Sequence, residues 1–194
     1  MTATAPVYPV TLDVDGPVPQ GRLSVFFRLI LAIPHLIILY FLRIALQVVT
    51  LIAWFAILFT GKYPAGMLRF AIGCVRWQTL VSGYVMLLTG NYPPFALDQD
   101  SAYPIRFQAE ERSTGRNRLT TFFRIFLVIP HLIVLALLGI AAYVVVIIAW
   151  FAALITGSVP AGLHTFLVGY NRWGARVNAY LFLLVDDYPP FSLA

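Results

Sequence analysis

Two histidines stand at matching places in long apolar runs, His35 after Ile33-Pro34 and His131 after Ile129-Pro130. A symmetric pair of imidazoles can hold a haem between two helices or orient a quinone. The alternative is structural: the imidazole satisfies a carbonyl freed by the proline, or sits at headgroup depth. Arginines recur in the same apolar surroundings, Arg28 with Arg124 and Arg76 with Arg172, and Arg176 follows Arg172 by one helical turn. Guanidinium is weakly hydrated and pairs bidentately with phosphate, so these five are candidates for binding an anionic lipid headgroup or another anion. The competing reading is snorkelling at helix ends, which sets depth and tilt.

Other chemistry is poorly represented. All eight acidic residues lie outside the apolar blocks: Asp13 and Asp15, Asp98 and Asp100, Glu110 and Glu111, Asp186 and Asp187. No carboxylate is left inside them for a proton relay or an acid/base pair. Cys74 is the single cysteine, which excludes a disulfide within the chain and a cysteine-based metal cluster. No nucleophile stands with a base and an orienting acid, so no enzymatic activity, no metal and no obligatory cofactor are expected. His164 has Leu68 at the equivalent place and so has no symmetric role.

Composition sets the class. The chain has 194 residues, of which 60% are hydrophobic and only 11% charged; ordinary globular proteins have roughly 45–50% and about 25%. Between Arg124 and Arg172 there is no Asp, Glu, Lys or Arg. That stretch exceeds the roughly 20 residues one span requires, so it must turn within or at the edge of a bilayer. The net charge of +5 then points to anionic lipid rather than nucleic acid, whose binding modules need a soluble basic face. The first 21 residues hold no basic region leading into a short apolar core, so no cleavable signal peptide is expected.

An internal duplication organises the whole chain. Phe26-Phe27-Arg28 matches Phe122-Phe123-Arg124, Ile33-Pro34-His35-Leu36-Ile37 matches Ile129-Pro130-His131-Leu132-Ile133, and Ala53-Trp54-Phe55-Ala56 matches Ala149-Trp150-Phe151-Ala152. The register continues through Thr60-Gly61, Pro64-Ala65-Gly66, Arg76-Trp77 and Tyr92-Pro93-Pro94-Phe95, each with its partner 96 residues on. About 40 of about 74 aligned positions are identical without a gap. This gives a first unit over 1–97, a polar linker over 98–117 and a second unit over 118–194. The ordered strings I-P-H, A-W-F, T-G-x-x-P-A-G, R-W and Y-P-P-F resemble the bacterial membrane family known as domain of unknown function 4389. The resemblance covers nearly all of both units and implies an integral membrane protein, with no activity to carry over residue by residue.

Each unit reads as four pieces. Val10 to Val14 and Ile105 to Ala109 alternate as half-buried strands do, and such a pair outside the bilayer is a way for the units to meet. The apolar block Leu23 to Thr60 is too long for one straight span. Either Arg22 to Ile33 is an interfacial helix and Pro34 opens the span, or the block is a hairpin turning near Arg43, whose counterpart is Gly139. The first places Arg43 and Gln47 inside the membrane and the second places them at a surface. After a re-entry turn at Thr60-Gly61, helices are expected over Ala65 to Thr89 and Ala161 to Val185, stopped by Tyr-Pro-Pro-Phe. Trp54, Trp77, Trp150 and Trp173 read as interfacial anchors.

The expected protein is therefore an all-α integral membrane protein, a tandem duplication with short strands outside the bilayer. Arg22, Arg28, Arg106, Arg112, Arg116, Arg118 and Arg124 cluster at the unit starts and linker. This predicts a multi-pass protein of the inner (plasma) membrane with those segments cytoplasmic, and parallel repeats about the membrane normal. Three functions fit. The first is a non-enzymatic protein that shapes the bilayer, binds anionic lipid or serves as an accessory subunit of a larger membrane complex. The second is a small transporter, channel or scramblase with a polar path lined by Arg76, Arg172 and Arg176. The third is a haem- or quinone-binding redox subunit using His35 and His131.

Overall fold

In the computed structural model, which describes residues 8–194, the two alternating segments are strands with the expected bounds, β1 (Val10–Val14) and β2 (Ile105–Ala109). They pair antiparallel with Leu12 opposite Phe107. Val10, Leu12, Ile105 and Phe107 point inward and are buried, while Asp13 and Gln108 face out, the period-two pattern of a ribbon covered on one side. Arg106 donates to Asp15 at 2.7 Å on its exposed rim.

Five helices make up most of the rest: α1 (Arg22–Phe26), α2 (Arg28–Thr60), α3 (Ala65–Val85), α4 (Arg118–Thr156) and α5 (Ala161–Leu181). Among them α2, of 33 residues, and α4, of 39, are long and apolar enough to cross a membrane. Neither expected folding of the apolar block is adopted. Helix α2 runs through Pro34 and through Arg43, and α4 runs through Pro130 and Gly139. A proline removes one donor from the ladder, and each helix continues on both sides of it. The copies differ only at their entry. Asn117 accepts from the amides of Leu119 and Thr120 and starts α4 as one helix, whereas Gly21 offers no side-chain cap and the helix breaks at Phe27.

Both long helices stop at glycine in the left-handed region, Gly61 (φ 69°) and Gly157 (φ 81°). Pro64 and Pro160 then open α3 and α5. These shorter helices end before the expected Tyr-Pro-Pro-Phe stop, because Leu87 (φ 64°) and Leu183 (φ 63°) turn the chain. The amide of Leu88 donates to Gly83 and that of Leu87 to Tyr84, at 2.9 and 3.1 Å, with Leu184 to Ala179 and Leu183 to Tyr180 matching them in the second unit. This is a Schellman closure with leucine where glycine is usual.

Contacts between the units are reciprocal, which is the signature of a twofold relation. The indole of Trp54 donates to the carbonyl of Thr121 and that of Trp150 to Val25, each at 3.0 Å. The amide of Arg116 donates to Gly61 and that of Gln20 to Gly157. The start of each long helix is thus pinned to the end of the other, so α2 and α4 run antiparallel. A twofold preserves height along its axis. The start of α2 is level with the start of α4 by symmetry and with the end of α4 by contact, so both ends of each long helix lie at one level.

Three layers stack along that axis. The ribbon covers α3 and α5, with β2 on α3 and β1 on α5, and α2 and α4 pack on the same two helices. Most of α3 and α5 is consequently buried, whereas only a stripe of α2 (Arg28, Ala32, His35, Leu46, Ala53, Ile57) is. The rest of α2 and α4 presents bare leucine, isoleucine and phenylalanine.

Glycines let the tail of each unit cross its middle helix. A Cβ built on Gly169 would lie 2.7 Å from the carbonyl oxygen of Leu193, and one on Gly73 would lie 2.8 Å from the Cβ of Leu97. Gly169→Ala is expected to cost about 1–3 kcal/mol by overpacking, read as a lowered midpoint of thermal unfolding in detergent. Gly174→Ala in the same helix meets nothing within 4 Å and is expected to be neutral or slightly stabilising. Equal effects of the two would refute the close-approach explanation.

Candidate functional site

The repeated motifs converge on one buried cluster in each unit. Arg28 lies under the end of α3: its Nη1 donates to the carbonyls of Tyr84 and Thr89 at 2.6 and 2.8 Å, and its Nη2 to Gln20 Oε1 at 2.6 Å. The guanidinium also sits over the Tyr84 ring, 4.4 Å from its centroid. Arg124 repeats this at the end of α5, donating to Tyr180 and Val185 and lying 4.0 Å from the Tyr180 centroid. A cation at a helix C-terminus meets the negative end of the dipole, and the Tyr84 and Tyr180 carbonyls accept from the guanidinium in addition to the Leu87 and Leu183 amides.

A charged group has been exchanged between the two clusters. Gln20 and Gly90 in the first unit correspond to Arg116 and Asp186 in the second. Gln20 Nε2 donates to the Leu87 carbonyl at 2.7 Å. Arg116 reaches the carbonyls of Leu183 and Leu184 in the same way. Asp186 Oδ1 then bridges the cations, 3.1 Å from Arg116 Nη2 and 2.9 Å from Arg124 Nη2. So Asp186, expected outside the apolar region, has a mostly covered carboxylate, and it serves as an ion-pair partner. Composition did not reveal it; the paired change of 20/116 with 90/186 in the repeat alignment was the available signal.

His35 closes the other end of the cluster. Its Nδ1 accepts from the indole of Trp77 at 3.2 Å, its ring stacks on Phe95 at 4.0 Å, and Tyr92 lies at 4.9 Å. His131 does the same with Trp173 at 3.2 Å, Phe191 at 3.9 Å and Tyr188 at 4.7 Å. Neither imidazole takes a proline-freed carbonyl through Nδ1, and neither is at a surface. The donated bond fixes the proton on Nε2, and each histidine is fully buried within its own unit. A haem or quinone shared by the two would have to open both aromatic stacks, so the residues present do not fit that group.

The remaining sequence candidates are also engaged by the protein. Arg76 donates to the carbonyls of Phe107 and Leu97, and Arg172 to those of Leu12 and Leu193. They tie the ribbon and the tails to α3 and α5. Arg176 donates to the Ala194 oxygen at 2.6 Å. Trp77 and Trp173 are buried rather than interfacial, because their indole N–H groups serve the histidines. Trp54 and Trp150 are half-buried and join the two units. Burial pushes the Cys74 thiol up to about 11, which keeps it protonated and unreactive near neutrality. Among the described residues no group of three or more His, Cys, Asp or Glu is placed to hold a metal ion.

Two copies of one closed cluster, built from the same ordered motifs, are a family signature. The family described as Domain of unknown function (DUF4389) matches the chain twice, over residues 22–96 and 118–192. The chain belongs to this family. Each DUF4389 copy runs from Arg22 or Arg118 to the Tyr-Pro-Pro-Phe segment, so it contains the Arg28 or Arg124, His, Trp and aromatic members of the cluster, while Gln20 and Arg116 lie just before it. The ribbon strands lie before each copy. No curated protein and no solved structure matches the chain.

Proposed function

We propose that this DUF4389 protein is a non-enzymatic membrane protein that inserts into a bilayer from one side and shapes it, with anionic lipids as its surroundings. One observation carries the reading: two long helices keep bare apolar surface on the opposite side of the core from a polar ribbon, with both ends of each helix at one level. A twofold axis lying in the membrane plane would put Asp13, Asp15, Arg106 and Gln108 at hydrocarbon depth, which is costly. An axis along the membrane normal keeps the ribbon in water and lays α2 and α4 in the plane. Arg22, Lys62 and Arg118 are exposed at the helix ends, the height at which lipid phosphates would stand. The plasma membrane, a cytoplasmic ribbon and linker, and a role beside a larger membrane complex complete the proposal.

Topology tests it directly. In a Cys74→Ala background, Pro19→Cys before the long helix, Lys62→Cys after it and Gln108→Cys on the ribbon are treated with an impermeant maleimide. One-sided insertion predicts that all three react in the same preparation, spheroplasts or everted vesicles, and none in the other. Reaction of positions 19 and 62 in opposite preparations means that α2 spans the bilayer and ends the proposal. Narrowing of liposomes with rising protein density is the accompanying sign of one-leaflet insertion.

A further inference from the structure

Two symmetric grooves flank the core where each long helix passes the start of the other. One lies between α2, the first turn of α4 beyond Arg124 and the leucine turn of α5, and has a volume of about 420 Å³. Its twin, between α4, the start of α2 and the turn after α3, has about 570 Å³. Both are in the size range of small-ligand sites and are almost wholly apolar. Each has a buried arginine in its wall, Arg124 or Arg28, whose Nη1 donates to two main-chain carbonyls and whose Nη2 donates to Asp186 or Gln20, with Nε left without a partner in both.

The duplication is broken at the rim. The first groove carries Arg43, Gln47 and Thr50 on successive turns of α2, where the second carries Gly139, Tyr143 and Val146. Arg43 is exposed and, among the described residues, has no hydrogen bond or ion pair with the protein. An unpaired guanidinium on the exposed face of a largely apolar helix is stabilised only by an anion or water. An apolar trough beside it is complementary to an acyl chain.

We infer that the groove edged by Arg43 and Gln47 is a binding site for one anionic phospholipid, with the phosphate on Arg43 and an acyl chain along Leu51, Trp54 and Leu183, and that the second groove has no such preference. This rests on the membrane reading above. A phospholipid rather than a free fatty acid is favoured because Arg43 is at the exposed rim of a protein surrounded by bilayer.

The full chain is placed in phosphatidylcholine vesicles doped with phosphatidylglycerol, extracted in mild detergent, and its retained lipid is counted by native mass spectrometry. Wild type is expected to keep one phosphatidylglycerol per chain. Arg43→Leu is expected to lower retention about tenfold, the loss of one charge-assisted bond, and Arg43→Lys to keep most of it. Retention unchanged in Arg43→Leu, two equivalent phosphatidylglycerols per chain, or preferential retention of added oleate overturns the assignment. Failure of wild type to float with the vesicles refutes the membrane reading instead, whereas flotation without retained phosphatidylglycerol refutes this site alone.

Discussion

Asp186→Asn is expected to destabilise the protein by about 3 kcal/mol, the range for removing one partner of a buried ion pair. The carboxylate lies within 3.1 Å of two guanidinium groups whose side chains are almost fully covered, at 0% and 2% exposure. Asparagine keeps the size but leaves Arg116 and Arg124 as uncompensated neighbours of like charge. Main-chain carbonyls hold both cations by further bonds, so the site is expected to loosen rather than empty. The first unit supplies the rescue. It manages the same geometry with Gln20 in place of Arg116 and no carboxylate, so Arg116→Gln added to Asp186→Asn is expected to recover most of the loss. A double-mutant cycle on thermal unfolding in detergent reads the coupling. If Asp186→Asn alone stays within about 0.5 kcal/mol of wild type, as an exposed substitution does, the bridge contributes nothing.

This coupled exchange shows what the sequence could and could not disclose. Equivalence was fully legible: the duplication, both strands and the glycine stops follow from residue order, because period, alternation and Gly-x-x-Pro are local signals. Contact was not. Arg28 in an apolar run looks like a group that must reach lipid phosphate, and only the left-handed leucine turn at Leu87 brings the Thr89 carbonyl beside that of Tyr84 to hold it. No sequence rule expects leucine there. The long helices misled for a different reason: their buried stripe and their bare faces are both apolar, so periodicity does not say which side packs, nor that Trp54 reaches Thr121 in the other unit. Antiparallel placement of α2 and α4, on which the proposed one-sided insertion rests, is a tertiary fact with no local trace.

Trp77→Ala is expected to be as damaging as any single change, about 3–5 kcal/mol for a buried tryptophan. The indole fills the space between α3 and α2, donates to His35 Nδ1 at 3.2 Å, and packs edge-on against Phe95 at 5.9 Å. Trp77→Phe keeps an aromatic ring and loses only the donor, for which about 1 kcal/mol is expected. Trp173→Ala should match Trp77→Ala, because His131 and Phe191 surround it identically, at 3.2 and 5.7 Å. The two clusters share no residue, so the double variant should be close to additive if it folds. An anchor at the membrane interface behaves otherwise: its removal changes insertion depth and leaves unfolding nearly unmoved. Thermal unfolding of Trp77→Ala and Trp77→Phe, measured beside quenching of the remaining tryptophans by brominated lipid, separates these roles. Unchanged unfolding with altered quenching would falsify the core assignment, and the stated order of losses with unchanged quenching establishes that the Arg-Trp and Ile-Pro-His motifs are halves of one packing unit.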